Sequence, residues 1–125
     1  MLKKESATVL IVDDDTCILD MLREQLAVFG YNVITACSGK EALQKAEEFK
    51  RIDILLTDIM MPYMNGIELS KKFNRLLPET EIFFMSGYDF PTLNIPELPK
   101  ENHVVFEKPF SIDSLDSEFS KVLTN

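Results

Sequence analysis

A parallel α/β sheet covered on both faces by helices is the fold that this sequence predicts. Three observations lead there. Five short apolar runs alternate with amphipathic helical patterns along the whole chain. The runs are apolar throughout instead of alternating polar and apolar, as strands buried on both faces are. Cap and turn residues separate each run from the helix that follows it.

The first strand is Thr8 to Val12. Asp15 and Thr16 can cap a helix whose apolar positions, Ile18, Leu22, Leu26 and Phe29, recur at helical spacing. Gly30 has the place of a helix C-terminus. Tyr31 to Ala36 reads as the second strand. Ser38 and Glu41 have capping-box spacing and open a helix through Ala42, Leu43, Ala46 and Phe49. Asp53 to Thr57 is the third strand and ends in Asp58. Pro62 to Gly66 is turn chemistry. A helix follows with Ile67, Leu69 or Ser70, Phe73 and Leu77 near one face, and Pro78 closes it. Glu81 to Met85 is the fourth strand, ending at Ser86-Gly87.

Pro91, Pro96 and Pro99 then exclude one long regular helix between the fourth and fifth strands. Val104 to Phe106 is the fifth strand and runs into Glu107-Lys108-Pro109. Ser111 caps a last helix through Ile112, Leu115, Phe119 and Val122.

Composition bounds the function. The 125 residues suit one domain, and 46% hydrophobic residues suffice for a core. We expect a single domain over 1–125. The net charge of −8 argues against nucleic-acid binding and against anionic membranes. No apolar stretch has the length of a membrane span, and no signal peptide is recognisable. Cys17 and Cys37 have no metal-type spacing and read as reduced thiols, so a cytoplasmic location is expected.

Ligands of open parallel sheets bind at the carboxyl ends of the strands. Asp13 and Asp14, Asp58, Ser86 and Lys108 end the first, third, fourth and fifth strands. Adjacent carboxylates at ~5 Å repel by roughly 3 kcal/mol at an effective dielectric near 20, so a cation or a basic side chain must offset them. Carboxylates and a hydroxyl are hard oxygen ligands that suit Mg²⁺ or Mn²⁺. A lysine at the same edge is a point charge for an anion, and the set suits phosphoryl transfer. A carboxylate can itself be the nucleophile, and Asp58, on what should be a central strand, is the best candidate. Asp15 reads as a helix cap, His103 receives no role, and most methionines read as core filler.

The stretches Val9-Leu10-Ile11-Val12-Asp13-Asp14-Asp15, Leu56-Thr57-Asp58-Ile59-Met60-Met61-Pro62 with Gly66, Met85-Ser86-Gly87-Tyr88 and Phe106-Glu107-Lys108-Pro109-Phe110 resemble, in order and spacing, the motifs of response-regulator receiver domains. The resemblance covers essentially the whole chain. It implies a flavodoxin-like, doubly wound five-stranded sheet in the order 2-1-3-4-5. It implies Mg²⁺-dependent phosphoryl transfer from a histidine kinase or histidine phosphotransfer protein to Asp58, without turnover as an enzyme. By the same match Asp13, Asp14, Asp58 and the Met60 carbonyl hold the metal. Ser86 and Lys108 engage phosphoryl oxygens. Bulky Met60 and Tyr88 shield the acyl phosphate, which implies slow hydrolysis.

Three departures from the family pattern stand out. Val105 occupies the position where an aromatic residue usually stands. The fourth helix is expected to be short or irregular, over Phe90 to Pro99. No output domain is expected after the last helix. Val105 and the proline-rich segment together predict readout through a surface other than the usual one, to a downstream protein that the sequence does not identify. Two alternatives compete. Haloacid-dehalogenase-like phosphatases resemble Asp13-Asp14-Asp15-Thr16-Cys17, but Cys17 stands where Thr or Val belongs. A pseudo-receiver interaction module would lack the complete acidic, Ser and Lys set.

Overall fold

The computed structural model describes residues 7–87 and 104–123. Its strands are β1 (Thr8–Val12), β2 (Asn32–Ala36), β3 (Ile54–Asp58), β4 (Glu81–Ser86) and β5 (Val104–Glu107). Its helices are α1 (Thr16–Val28), α2 (Gly39–Phe49), α3 (Gly66–Leu76) and α4 (Ile112–Leu123). All strand pairs are parallel, in the order β2-β1-β3-β4-β5. The expected irregular helix over Phe90 to Pro99 lies outside the described residues.

Alternation along each strand divides the core between the two faces of the sheet. Val9 and Ile11 join Leu19, Leu22, Leu26, Leu115 and Phe119 beneath α1 and α4. Leu10 and Val12 join Ala42, Ala46, Leu69 and Phe73 beneath α2 and α3. β3 is buried along its whole length. The edge strand β2 is not: it runs from an exposed Asn32 through three half-buried residues to Ala36, so the expectation of uniformly buried strands fails there.

The helix ends follow the chemistry of their sequences. The Asp15 carboxylate accepts from the Cys17 N–H at 3.0 Å and caps α1. α1 ends in a Schellman arrangement, with Gly30 N–H donating to Ala27 O at 3.0 Å and Tyr31 N–H to Leu26 O at 3.3 Å. Gly30 supplies the required positive φ of 101°. Ser38 accepts from Glu41 N–H as expected, but the Glu41 carboxylate returns to Cys37 N–H at 2.7 Å, one residue earlier than in a regular capping box. A complete box opens α3 instead: Asn65 accepts from Glu68 N–H at 2.8 Å, and Glu68 accepts from Asn65 N–H at 3.0 Å. Ser111 accepts from Ser114 N–H at the start of α4, as its sequence predicts.

Candidate functional site

The register brings the carboxyl ends of the strands level. Val12 lies opposite Ala36 and Thr57, Asp58 opposite Met85, and Ser86 opposite Glu107. The residues that end or follow β1, β3 and β5 therefore meet at one edge. Asp13, Asp14 and Asp58 each offer a carboxylate oxygen, all within 4.8 Å of one another. Asp13 and Asp58 are buried and Asp14 is exposed. An open cavity of about 450 Å³ is lined by Asp13, Asp14, Asp58, Met60 and Lys108, with Asp15, Ile18 and Gly87.

Both Asp13 oxygens are engaged. One accepts from Asp15 N–H at 2.9 Å, and the other receives Lys108 Nζ at 2.7 Å. The same ammonium stands 3.5 Å from Asp58 Oδ2. Lys108 is aimed by its backbone, whose N–H donates to Ser86 O at 2.7 Å, and the Lys108-Pro109 peptide is cis. Asp58 is held from below by its loop: Ile59 N–H donates to Met85 O at 3.0 Å, and Gly66 N–H to Ile59 O at 2.8 Å.

Electrostatics follow from this crowding. Burial, reinforced by the Asp13 charge, pushes the Asp58 carboxyl up to about 6, against partial opposition from Lys108. Burial pulls Lys108 down, but its hydrogen bond to Asp13 and the charges of Asp58 and Asp13 outweigh that pull and leave it above the ordinary lysine value. The donor set is oxygen only, which fits a hard divalent cation such as Mg²⁺ and does not favour zinc.

Of the residues expected from the sequence, Asp13, Asp14, Asp58, Met60 and Lys108 converge on the cavity. Ser86 ends β4 fully buried at the same edge. Met60 is half exposed at the rim. Val105 is half-buried against Ile59, Ile67 and Phe84. Tyr88 and His103 lie outside the described residues. Ile18, expected in the core, is partly buried: it packs against the core beneath α1 and α4 and also lines the cavity, while its neighbour Leu19 is the buried residue. Helical spacing alone does not fix the phase of a face by less than a residue. Gly87 was also missed as a lining residue; its place beside Ser86 is the only signal for it. A larger cavity, about 580 Å³, opens at the amino ends of the strands between Lys50, Asp53, Leu77 and Thr80. Its Asp53 already accepts from Thr8 N–H at 2.8 Å, and no acidic cluster converges there among the described residues. Chemistry, not size, locates the site.

A five-stranded parallel sheet with an acidic, lysine-closed carboxyl edge defines a phosphoryl-accepting signalling domain. The response regulator receiver domain family matches residues 9–120, and the chain belongs to that family. It is 32% identical to the response regulator receiver protein CpdR of Brucella abortus, over 92% of this chain and 95% of that protein. It spans only 48% and 13% of two further curated relatives. Among solved structures, the chemotaxis response regulator CheY4 of Vibrio cholerae has a TM-score of 0.81 at 32% identity, covering 94% of this chain and 99% of that one. The response regulator TrrA of Thermotoga maritima, solved in complex with Mg²⁺-BeF, has a TM-score of 0.78 at 28% identity, covering 94% and 99%. The expected sheet order and the receiver reading both hold. The family match favours the receiver reading over the phosphatase alternative, and Asp15, the second aspartate of that motif, caps α1 while also lining the cavity. Among the described residues no helix is long and apolar enough to cross a membrane.

Proposed function

We propose that Asp58 is the phosphoacceptor of a two-component phosphorelay and that residues 1–125 act as one receiver unit. The observation that carries this reading is the convergence of Asp58 with Asp13, Asp14 and Lys108. An Asp58 oxygen attacks phosphorus, the P–N bond of a phosphohistidine donor breaks, and the imidazole leaves with the bonding pair. Lys108 then exchanges a carboxylate partner for a phosphoryl oxygen, and Ser86 takes another. Asp13, Asp14, Asp58 and the Met60 carbonyl would hold Mg²⁺ or Mn²⁺, which supplies neutralisation of the phosphoryl charge. The TrrA complex supports that cation class.

The donor is a histidine kinase or histidine phosphotransfer protein, and phosphorylation switches contact with a downstream protein in the cytoplasm. The chain accepts one phosphoryl group and loses it by self-hydrolysis; it does not turn over phosphomonoesters. Bulky Met60, and Tyr88 by the family pattern, make that hydrolysis slow. Mass spectrometry after incubation with acetyl phosphate and Mg²⁺ tests the reading. Wild type should gain one phosphoryl group and Asp58→Ala none; equal modification of both would overturn it.

A further inference from the structure

The loop that follows Asp58 has an unusual apex. Its ends are closed by the hydrogen bond from Gly66 N–H to Ile59 O. Met61 and Met64 turn inward and pack against the core beneath α2 and α3. Met64 also lies against Gly39 at the start of α2, where an added Cβ would stand 2.7 Å from its sulfur. The loop is therefore pinned. Between its two anchors, Tyr63 is fully exposed and has a φ of 69°. A left-handed backbone is strained for a bulky aromatic residue, and strain of this kind persists where the surroundings impose it and clusters at functional sites. An aromatic ring in open water also leaves its apolar surface uncovered.

We propose that Tyr63 is a docking anchor for the phosphohistidine-bearing donor protein. This rests on the reading of Asp58 as acceptor. Asp58 lies at the floor of the cavity and Met60, on the same loop, at its rim. A protein donor must bring phosphorus to bonding distance of an Asp58 oxygen, so its body covers the rim and meets the loop that begins there. A small phosphodonor enters the cavity without that contact. Tyrosine is enriched among residues that dominate protein interfaces, because its ring covers a large area at little entropic cost. Pinning by Met61 and Met64 keeps the ring presented before the donor arrives, which lowers the cost of association.

The experiment uses Tyr63→Gly and Tyr63→Phe in the full chain. Glycine tolerates the positive φ, so Tyr63→Gly should fold with an unreduced Tm. Two donors are compared. One is phosphoramidate, an N–P donor with no protein surface. The other is the phosphohistidine protein that transfers fastest to wild type in a screen of the kinases and phosphotransfer proteins of the same genome. Tyr63→Gly should lose about tenfold in kcat/KM with the protein donor, mainly through KM, and stay within about twofold with phosphoramidate. Tyr63→Phe should retain most of the protein-donor rate. Unchanged transfer from the protein donor to Tyr63→Gly overturns the proposal, and so does an equal loss with both donors. A wild type that accepts from phosphoramidate but from no phosphohistidine protein overturns it as well. Absence of any phosphorylation of Asp58 is a different result, since it defeats the acceptor reading itself.

Discussion

Lys108 Nζ and Asp13 Oδ2 stand 2.7 Å apart across 95 residues of chain. The lysine is nearer to this carboxylate than to Asp58, at 3.5 Å. Among the described residues it is the one cation paired with this acidic cluster, and so its built-in counter-ion when divalent metal is removed. Lys108→Met leaves the two buried carboxylates facing each other. Breaking a buried ion pair costs 3–5 kcal/mol, and the partial exposure of Lys108 reduces that to about 2 kcal/mol. Urea unfolding in EDTA should show this loss, and saturating Mg²⁺ should remove most of it. An equal loss with and without Mg²⁺ would mean that Lys108 stabilises by packing alone.

The buried acceptor makes the protein a pH reporter. The folded-state value of Asp58, about 6, lies above its ordinary 3.8, so the fold holds this proton more tightly than the unfolded chain does. The corresponding stability is fully present below about pH 4 and is lost as pH rises through 6. At neutral pH without metal the ionised Asp58 therefore costs the fold about 2–3 kcal/mol. Asp58→Asn should be more stable than wild type by about that amount at pH 7.5 in EDTA, and the two should converge near pH 4. Thermal unfolding across this range would show it. A constant difference at every pH counts against the electrostatic explanation.

Much of this site was legible because each of its acidic groups ends an apolar run, and a parallel sheet leaves one place for such ends to meet. Asp13, Asp14, Asp58 and Lys108 are all placed by that logic. The pairing of Lys108 with Asp13 was legible only as an expected offset to repulsion. Its direction depends on the Lys108 N–H bond to Ser86 O, a contact between strands that no local pattern encodes. The same limit applies to Leu19 on α1, which is buried in the core beside the expected Ile18, itself only partly buried there. The Asn65–Glu68 capping box was present in the sequence at the proper spacing but was masked by the turn signals around it. The left-handed Tyr63 had no sequence signal, since aromatic residues are disfavoured there.

Gly66 makes a prediction about the acceptor's support. A Cβ there would clash with the carbonyl oxygen of Asp58 and stand 3.0 Å from its carbon and 3.1 Å from Ile59 Cα. These are backbone atoms of the acceptor loop, so relief requires moving Asp58. Gly66→Ala should lose about 2 kcal/mol or more and slow phosphorylation by acetyl phosphate in the folded fraction. Gly39→Ala is the comparison: its new Cβ would stand 2.7 Å from the Met64 sulfur and 3.2 Å from its Cβ and Cγ, which are side-chain atoms and not the acceptor backbone, and the gain in helix propensity offsets part of the crowding, so it should cost less. Similar losses in both variants would show that the acceptor backbone is not what Gly66 protects.

Tyr31 ties the start of β2 to α4, far from the acidic edge. Its hydroxyl donates to Asp116 Oδ1 at 2.7 Å, and its ring meets Phe119 edge-on at 5.7 Å between centroids. Burial, then the Asp116 carboxylate, push the phenol well above its ordinary value near 10. The unfolded chain loses this proton at about pH 10 while the fold retains it, so the stability it contributes is complete below pH 10 and declines as pH rises further. Tyr31→Phe keeps the ring packing and removes the donor. It should cost about 1–2 kcal/mol at neutral pH, because the bond is made to a charged partner. It should also lose the part of the alkaline destabilisation that begins near pH 10. Guanidinium unfolding at pH 7 and pH 10.5 would measure both effects. Wild type and Tyr31→Phe should differ less at the higher pH, whereas a gap unchanged by pH would show that the phenol ionises as readily in the fold as in the unfolded chain.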